Sequence, residues 1–133
     1  MTLVDSNILI DIWTNNPDWA EWSRKALAAA ANRGGVAVNS VVIAELSVRF
    51  DAEKDLFREL ADAGIRRVPL PVGAGWPAAQ AFKLYKSRRG VRVSPLADFY
   101  IGAHALAEDW PLLTRDPKRY RAYFPKVKLI APK

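Results

Sequence analysis

Short β-branched stretches recur along this chain, and each is followed by residues whose apolar positions fall three and four apart. Thr2-Leu3-Val4, Val36-Ala37-Val38 and the stretches 65–70, 111–114 and 127–130 have the length and character of buried strands. Between them lie helical patterns over residues 8–13, through Trp19, Trp22, Ala26 and Ala29, over 40–50 and 54–63, and from Pro77 and Ser94-Pro95 onward. Such alternation predicts an α/β fold with a central parallel sheet of about four to five strands flanked by helices. The punctuation agrees: Asn15-Asn16-Pro17-Asp18 offers a cap and a first-turn proline, Arg33-Gly34-Gly35 and Gly64 stop helices, and Pro69 and Pro71 push the 65–70 strand to an edge. No linker, repeat or low-complexity segment interrupts the 133 residues, so one domain over 1–133 is expected.

Carboxylates stand where those elements meet. Asp5 ends the first strand, and the carboxyl edge of a parallel sheet is where loops and helix N-termini gather around ligands. Asp5-Ser6-Asn7 also has the composition of a helix cap. Glu45 lies inside Val41-Val42-Ile43-Ala44-Glu45-Leu46, with Val41, Val42 and Val48 on its face; a buried acid must be neutralised, paired or metal-bound, and Arg49 is the local pairing candidate. Asp98 falls in the first turn of the helix begun by Ser94-Pro95, where the helix dipole favours its charged form. Ile101, Gly102 and Ala105 share its face, and the two small ones permit close approach. Asp116 follows the 111–114 strand and, standing before Pro117, is also set up to cap a short helix over 118–120. Four acids at one sheet edge would repel one another, an arrangement that suits a divalent cation.

Composition narrows the chemistry. The chain has no Cys, which excludes disulfides and thiolate metal sites, and its one His, His104, supplies neither a zinc site nor a well-supported triad; it reads as packing or surface. A metal must then be held by oxygen, which favours Mg²⁺, with Mn²⁺ able to substitute. No apolar run approaches the roughly 18 residues of a membrane span, and no basic segment leads into a signal core, so a cytoplasmic protein is expected. Lys and Arg number 20 against 14 Asp and Glu, a net charge of +6. The excess gathers in Lys83, Lys86, Arg88, Arg89 and Arg92, and again between Arg115 and Lys133, which points to a polyanion or an acidic partner. Trp19 and Trp22 read as core or subunit interface.

Taken in order, Leu3-Val4-Asp5-Ser6-Asn7-Ile8-Leu9-Ile10-Asp11, Ser40-Val41-Val42-Ile43-Ala44-Glu45-Leu46, Asp98-Phe99-Tyr100-Ile101-Gly102-Ala103-His104-Ala105 and Leu112-Leu113-Thr114-Arg115-Asp116 resemble the motifs of PIN-domain ribonucleases. The closer likeness is to the VapC toxins of type II toxin-antitoxin pairs, over essentially the whole chain. The resemblance implies a PIN-like fold with Asp5, Glu45, Asp98 and Asp116 as an acidic quartet. It also implies that Asn7 orders the site and that Thr114 supplies a hydroxyl two residues before the last acid. Ser6 stands where such toxins often have Thr and Gly102 where they often have Ala; neither change removes a ligand. A homodimer and a cognate VapB-type antitoxin, whose tail occupies the cleft, are implied as partners.

The function expected is that of a Mg²⁺- or Mn²⁺-dependent endoribonuclease that inhibits translation and growth, with transfer or ribosomal RNA as candidate substrates. Asp5, Asp98 and Asp116, with Glu45 directly or through water, would hold the cation, and a bound water would attack the phosphodiester. Arg92 and Arg115, which precede Asp98 and Asp116 in sequence, would follow the RNA backbone. Two rivals stand beside this reading: a haloacid-dehalogenase-like phosphatase, weakened because Asn7 occupies that family's second-Asp position, and a non-catalytic module that binds nucleic acid or an antitoxin.

Overall fold

The computed structural model describes residues 1–88 and 96–133. Arg89, Arg92 and the Ser94-Pro95 helix start lie outside the described residues. Five strands, β1 (Thr2–Val4), β2 (Val36–Val38), β3 (Ile65–Arg67), β4 (Leu112–Leu113) and β5 (Leu129–Ile130), form one sheet in the order β3-β2-β1-β4-β5, every pair parallel. The chain thus realises the expected parallel sheet. β1 is central because all three of its residues are buried and apolar enough to be covered on both faces. Leu3 pairs with Ala37 on one side and Leu112 on the other. β3 sits at an edge, as Pro69 and Pro71 required: Val68 N–H still reaches the Val38 carbonyl at 2.9 Å, but Pro69 has no N–H with which to continue.

Parallel neighbours need crossovers, and helices supply them. They are α1 (Ser6–Trp13), α2 (Ala20–Asn32), α3 (Ser40–Ser47), α4 (Glu53–Asp62), α5 (Gly75–Ser87), α6 (Leu96–Glu108) and α7 (Lys118–Tyr123). Several ends differ from the sequence expectation for local reasons. α1 starts directly after Asp5, two residues early. α2 starts three residues past Pro17, because Asn16 Oδ1 first accepts the N–H groups of Asp18 and Trp19 in a turn. α3 is capped by Asn39, whose Oδ1 takes the Val42 N–H at 3.0 Å, but it stops at Ser47 and not at 50. Val48 is consequently 85% exposed and does not share the face of Glu45. α5 begins at Gly75 behind a 3-10 turn over Val72–Ala74. α7 runs to Tyr123 behind Pro117 at its N-cap; Asp116 is not the cap. Gly64 ends α4 as expected, at φ +71°, a backbone region that residues with a Cβ avoid.

The core is one cluster in which Leu3, Val4, Val36, Val38, Leu112 and Leu113 of the sheet meet Ile8, Leu9, Leu46, Leu56, Leu60, Phe99 and Ile101 of the helices. α1 packs on α2, and α6 is touched by α3, α5 and α7. Among the described residues no helix is long and apolar enough to cross a membrane.

Candidate active site

The chain leaves β1 toward β2 and β3 on one side of the sheet and returns to β4 and β5 on the other. The loops after β1 and β4 therefore diverge around a crevice, the place where open parallel sheets bind ligands. Asp5 follows β1, and Thr114, Arg115 and Asp116 follow β4. A cleft of about 580 Å³ opens there, lined by Asp5, Glu45, Asp98 and Asp116 together with Ser6, Asn7, Tyr85, Lys118, Arg119, Ala122 and Tyr123. All four acids singled out from the sequence reach it.

Asp5 occupies the N-cap position of α1, yet its side chain makes no cap bond and turns to the cleft instead. One of its oxygens, Oδ2, accepts from Thr114 Oγ1 at 2.9 Å, Tyr120 Oη at 2.9 Å and Asn7 Nδ2 at 3.4 Å. Thr114, fully buried, also takes the Asp116 N–H at 3.1 Å, and Asn7 Oδ1 accepts the Arg115 N–H at 3.1 Å. Asn7 and Thr114 thereby tie the first turn of α1 to the segment after β4. Glu45 Oε1 accepts from Ser6 Oγ at 3.0 Å, so its partner is the first residue of α1 and not Arg49. Asp98, in the first turn of α6, accepts from Arg119 Nη1 at 2.8 Å on Oδ2 and from Tyr120 Oη at 3.4 Å on Oδ1. Asp116 is exposed at the cleft's rim.

The electrostatics follow from this crowding. Burial is the largest cause that pushes the Asp5 carboxyl from 3.8 up to about 6; the Asp98 charge adds to it, the hydrogen bonds from Thr114 and Tyr120 oppose it, and Glu45 contributes least. The Glu45 carboxyl is raised too, by burial and by Asp98, against the Ser6 bond. Tyr120 is pushed well above its usual range by burial and by the facing acids, so it stays a neutral donor. Among the described residues no three acids converge closely enough to hold a metal ion between them. The donor set nevertheless fits a hard cation bound through one or two carboxylates and water, the habit of Mg²⁺. It is all oxygen, Oδ1 of Asp5 accepts no hydrogen bond among the described residues, and repulsion between Asp5 and Asp98 is what positive charge would relieve.

The sequence gives no role to Asp11, Arg119 or Tyr120, and it leaves Arg115 without its partner. Arg115 does not stand free: its Nε and Nη2 form a fork on Asp11 at 2.8 and 3.1 Å, and the guanidinium lies 5.7 Å from the Trp19 ring. Asp11 is 1% exposed and also accepts from Ser23 Oγ at 3.1 Å. Its place in the apolar run Ile8-Leu9-Ile10-Asp11-Ile12 was the same signal that marked Glu45. Tyr120 and Arg119 carried no such signal, since both sit in the basic, aromatic segment Lys118–Tyr123. Gly102 does permit a close approach, but of the Phe124 ring: a Cβ there would lie 2.5 Å from it. His104 is buried, bonded to Asn39 Nδ2 at 3.0 Å and tilted against Trp110.

Residues 2–125 match the family description of the PIN domain. Among solved structures, VapBC2 from Rickettsia felis bound to a DNA fragment from their promoter superposes with a TM-score of 0.75 at 19% identity, covering 99% of this chain and 98% of that one. VapBC-1 from nontypeable Haemophilus influenzae gives 0.71 at 17% identity, covering 98% and 96%. A toxin-antitoxin complex from Klebsiella pneumoniae gives 0.69 at 20%, covering 100% and 98%. At these identities the likeness is one of fold. No curated protein sequence matches the chain.

Proposed function

The chain belongs to the PIN domain family, and from that premise we propose that it is a divalent-metal-dependent endoribonuclease and the toxin of a VapBC-type toxin-antitoxin pair. PIN domains are generally nucleases, which supports a hydrolase acting on nucleic acid. The observation that carries the finer reading is the cleft itself, where carboxylates from β1's end, α3, α6 and the β4–α7 loop line one pocket together with Lys118 and Arg119. Acids alone would repel a phosphodiester; acids together with basic side chains suit one.

Asp5 and Asp98 are the residues that would hold Mg²⁺ or Mn²⁺, with Glu45 and Asp116 directly or through its waters. Such an ion would supply an acidified water and neutralise charge developing on the phosphate. The chain's own groups do the rest. Tyr120 and Thr114 hold Asp5 Oδ2, which leaves the other oxygen toward the cleft. Asn7 and Thr114 fix the first turn of α1 against the segment after β4, and Ser6 orients Glu45. Arg115, held on Asp11, fixes the loop that carries Asp116, and its RNA-contacting role is secondary to that. Lys118, Arg119 and Arg92 would follow the RNA backbone. A phosphatase of the haloacid-dehalogenase kind is disfavoured, because Asn7 is committed through both ends of its amide to Asp5, Thr114 and the Arg115 N–H and offers no acid.

Neighbours described as VapBC or toxin-antitoxin complexes support a cognate VapB-type antitoxin as partner. A homodimer acting in the cytoplasm, and transfer or ribosomal RNA as target, complete the reading. It is tested by incubating the purified protein with structured RNAs, transfer RNAs included, in Mn²⁺ or Mg²⁺ and in chelator, beside Asp98→Asn. Cleavage that needs metal and is lost in the variant is expected. Cleavage that survives both chelator and substitution would overturn the mechanism.

A further inference from the structure

Two arginines near Asp116 are ion-paired, and the pairs are built differently. Arg115 grips Asp11 with a fork, and Asp11 is buried. Arg119 meets Asp98 through one contact, Nη1 to Oδ2 at 2.8 Å, and the two side chains keep 39% and 31% of their exposure. A single contact between half-open groups forms and breaks in water at small net free energy. The first pair is a strut; the second is exchangeable.

Its location makes the exchange matter. α7 presents Arg119 and Tyr120 side by side to the acids, so that Arg119 takes Asp98 Oδ2 while the Tyr120 hydroxyl, already on Asp5, reaches Asp98 Oδ1 at 3.4 Å. Arg119 thus holds one oxygen of Asp98, while the other meets only the long arm of a hydroxyl whose single proton goes chiefly to Asp5. A second cation arriving at this carboxylate meets the guanidinium's charge at a distance of a few ångströms, where like charges repel appreciably even in a partly solvated site. Among the described residues Asp98 is the cleft's one ion-paired acid; Asp5, Glu45 and Asp116 accept only neutral donors or none.

We propose that Arg119 and the divalent cation compete for Asp98, so that the Arg119–Asp98 contact sets how tightly the cleft takes up its metal. This rests on the metal-dependent reading above. Uptake of the cation requires Arg119 to swing from Asp98 toward the rim, where Lys118 already stands. The cleft therefore fills at a higher cation concentration than its carboxylates alone would need.

The test is calorimetric titration of Mn²⁺ alone into chelator-stripped wild type, Arg119→Gln, Arg119→Lys and Lys118→Gln, each checked for folding by circular dichroism. Arg119→Gln is expected to tighten Mn²⁺ binding about tenfold, the coulombic gain being reduced by exposure. Arg119→Lys, which keeps the charge, is expected to stay within about threefold of wild type, as is Lys118→Gln, which removes a rim charge without breaking the pair. An Arg119→Gln affinity within twofold of wild type or weaker, or an equal gain in Lys118→Gln, overturns the competition while leaving a metal-binding cleft. No Mn²⁺ uptake by any of the four proteins overturns the metal-dependent reading itself.

Discussion

Asp5 is the residue at which burial and chemistry conflict. Three donors converge on one of its oxygens, yet removal from water and the charge of Asp98 prevail and raise its carboxyl to about 6. A carboxyl raised in the folded state binds its proton more tightly there than in the unfolded chain, so stability present in full below 3.8 is lost as pH climbs through about 6. Two pKa units at ~1.36 kcal/mol each make the loss about 3 kcal/mol. Urea denaturation in chelator is expected to show this component between pH 4 and 7.5, and Asp5→Asn is expected to abolish it. Mn²⁺ should restore stability above pH 6 and do little at pH 4. A wild type and an Asp5→Asn variant with parallel pH profiles would contradict the assignment.

At the scale of elements, two of the acids are positioned by helices that a buried pair of side chains locks together. Asn39 caps α3 through Oδ1 and donates Nδ2 to His104 Nδ1 on α6; α3 carries Glu45 and α6 carries Asp98. Asn39→Ala is expected to destabilise by about 2–3 kcal/mol, about 1 from the cap and the remainder from an imidazole nitrogen left unpaired. Burial lowers the His104 pKa against the opposing charge of Glu108. Stability from neutral His104 is therefore complete above 6.5 and lost as pH falls below it, opposite in sign to Asp5. The junction of α6 and α7 depends on Gly102, whose missing Cβ makes room for Phe124. Gly102→Ala is expected to cost about 1–3 kcal/mol by overpacking, and Phe124→Leu in the same chain to relieve it, as chemical denaturation of the single and double variants would show. Elements were legible in the sequence because periodicity and Asn, Pro and Gly punctuation are local. Their ends were less so: α3 stops at Ser47 and leaves Val48 in solvent, and the six residues of α7 run past Tyr120 without Asp116 as their cap.

For the whole molecule, alternation of strand and helix announced a parallel sheet, while the order β3-β2-β1-β4-β5 was not written in any one stretch. That order places the ends of β1 and β4 on either side of the crevice, and so brings Asp5 beside a loop more than a hundred positions away. The acids were legible because each is a charge among apolar neighbours or at a strand's end. Their partners were not, since Arg115 on Asp11, Tyr120 on Asp5 and Arg119 on Asp98 are contacts the fold creates between distant segments. Groups that work as one unit lose function non-additively, which gives the convergence of the acids its most direct test. The measurement is Mn²⁺-dependent RNA cleavage by Asp5→Asn, Glu45→Gln, Asp98→Asn and Asp116→Asn and by the double variant Asp5→Asn/Asp98→Asn. Each single change is expected to lower the rate, those at Asp5 and Asp98 by on the order of 10²-fold or more, and the double to fall little below the worse of its two singles. Rates in the double that equal the product of the two single losses, or wild-type cleavage in any of the four singles, would contradict a single acidic catalytic unit.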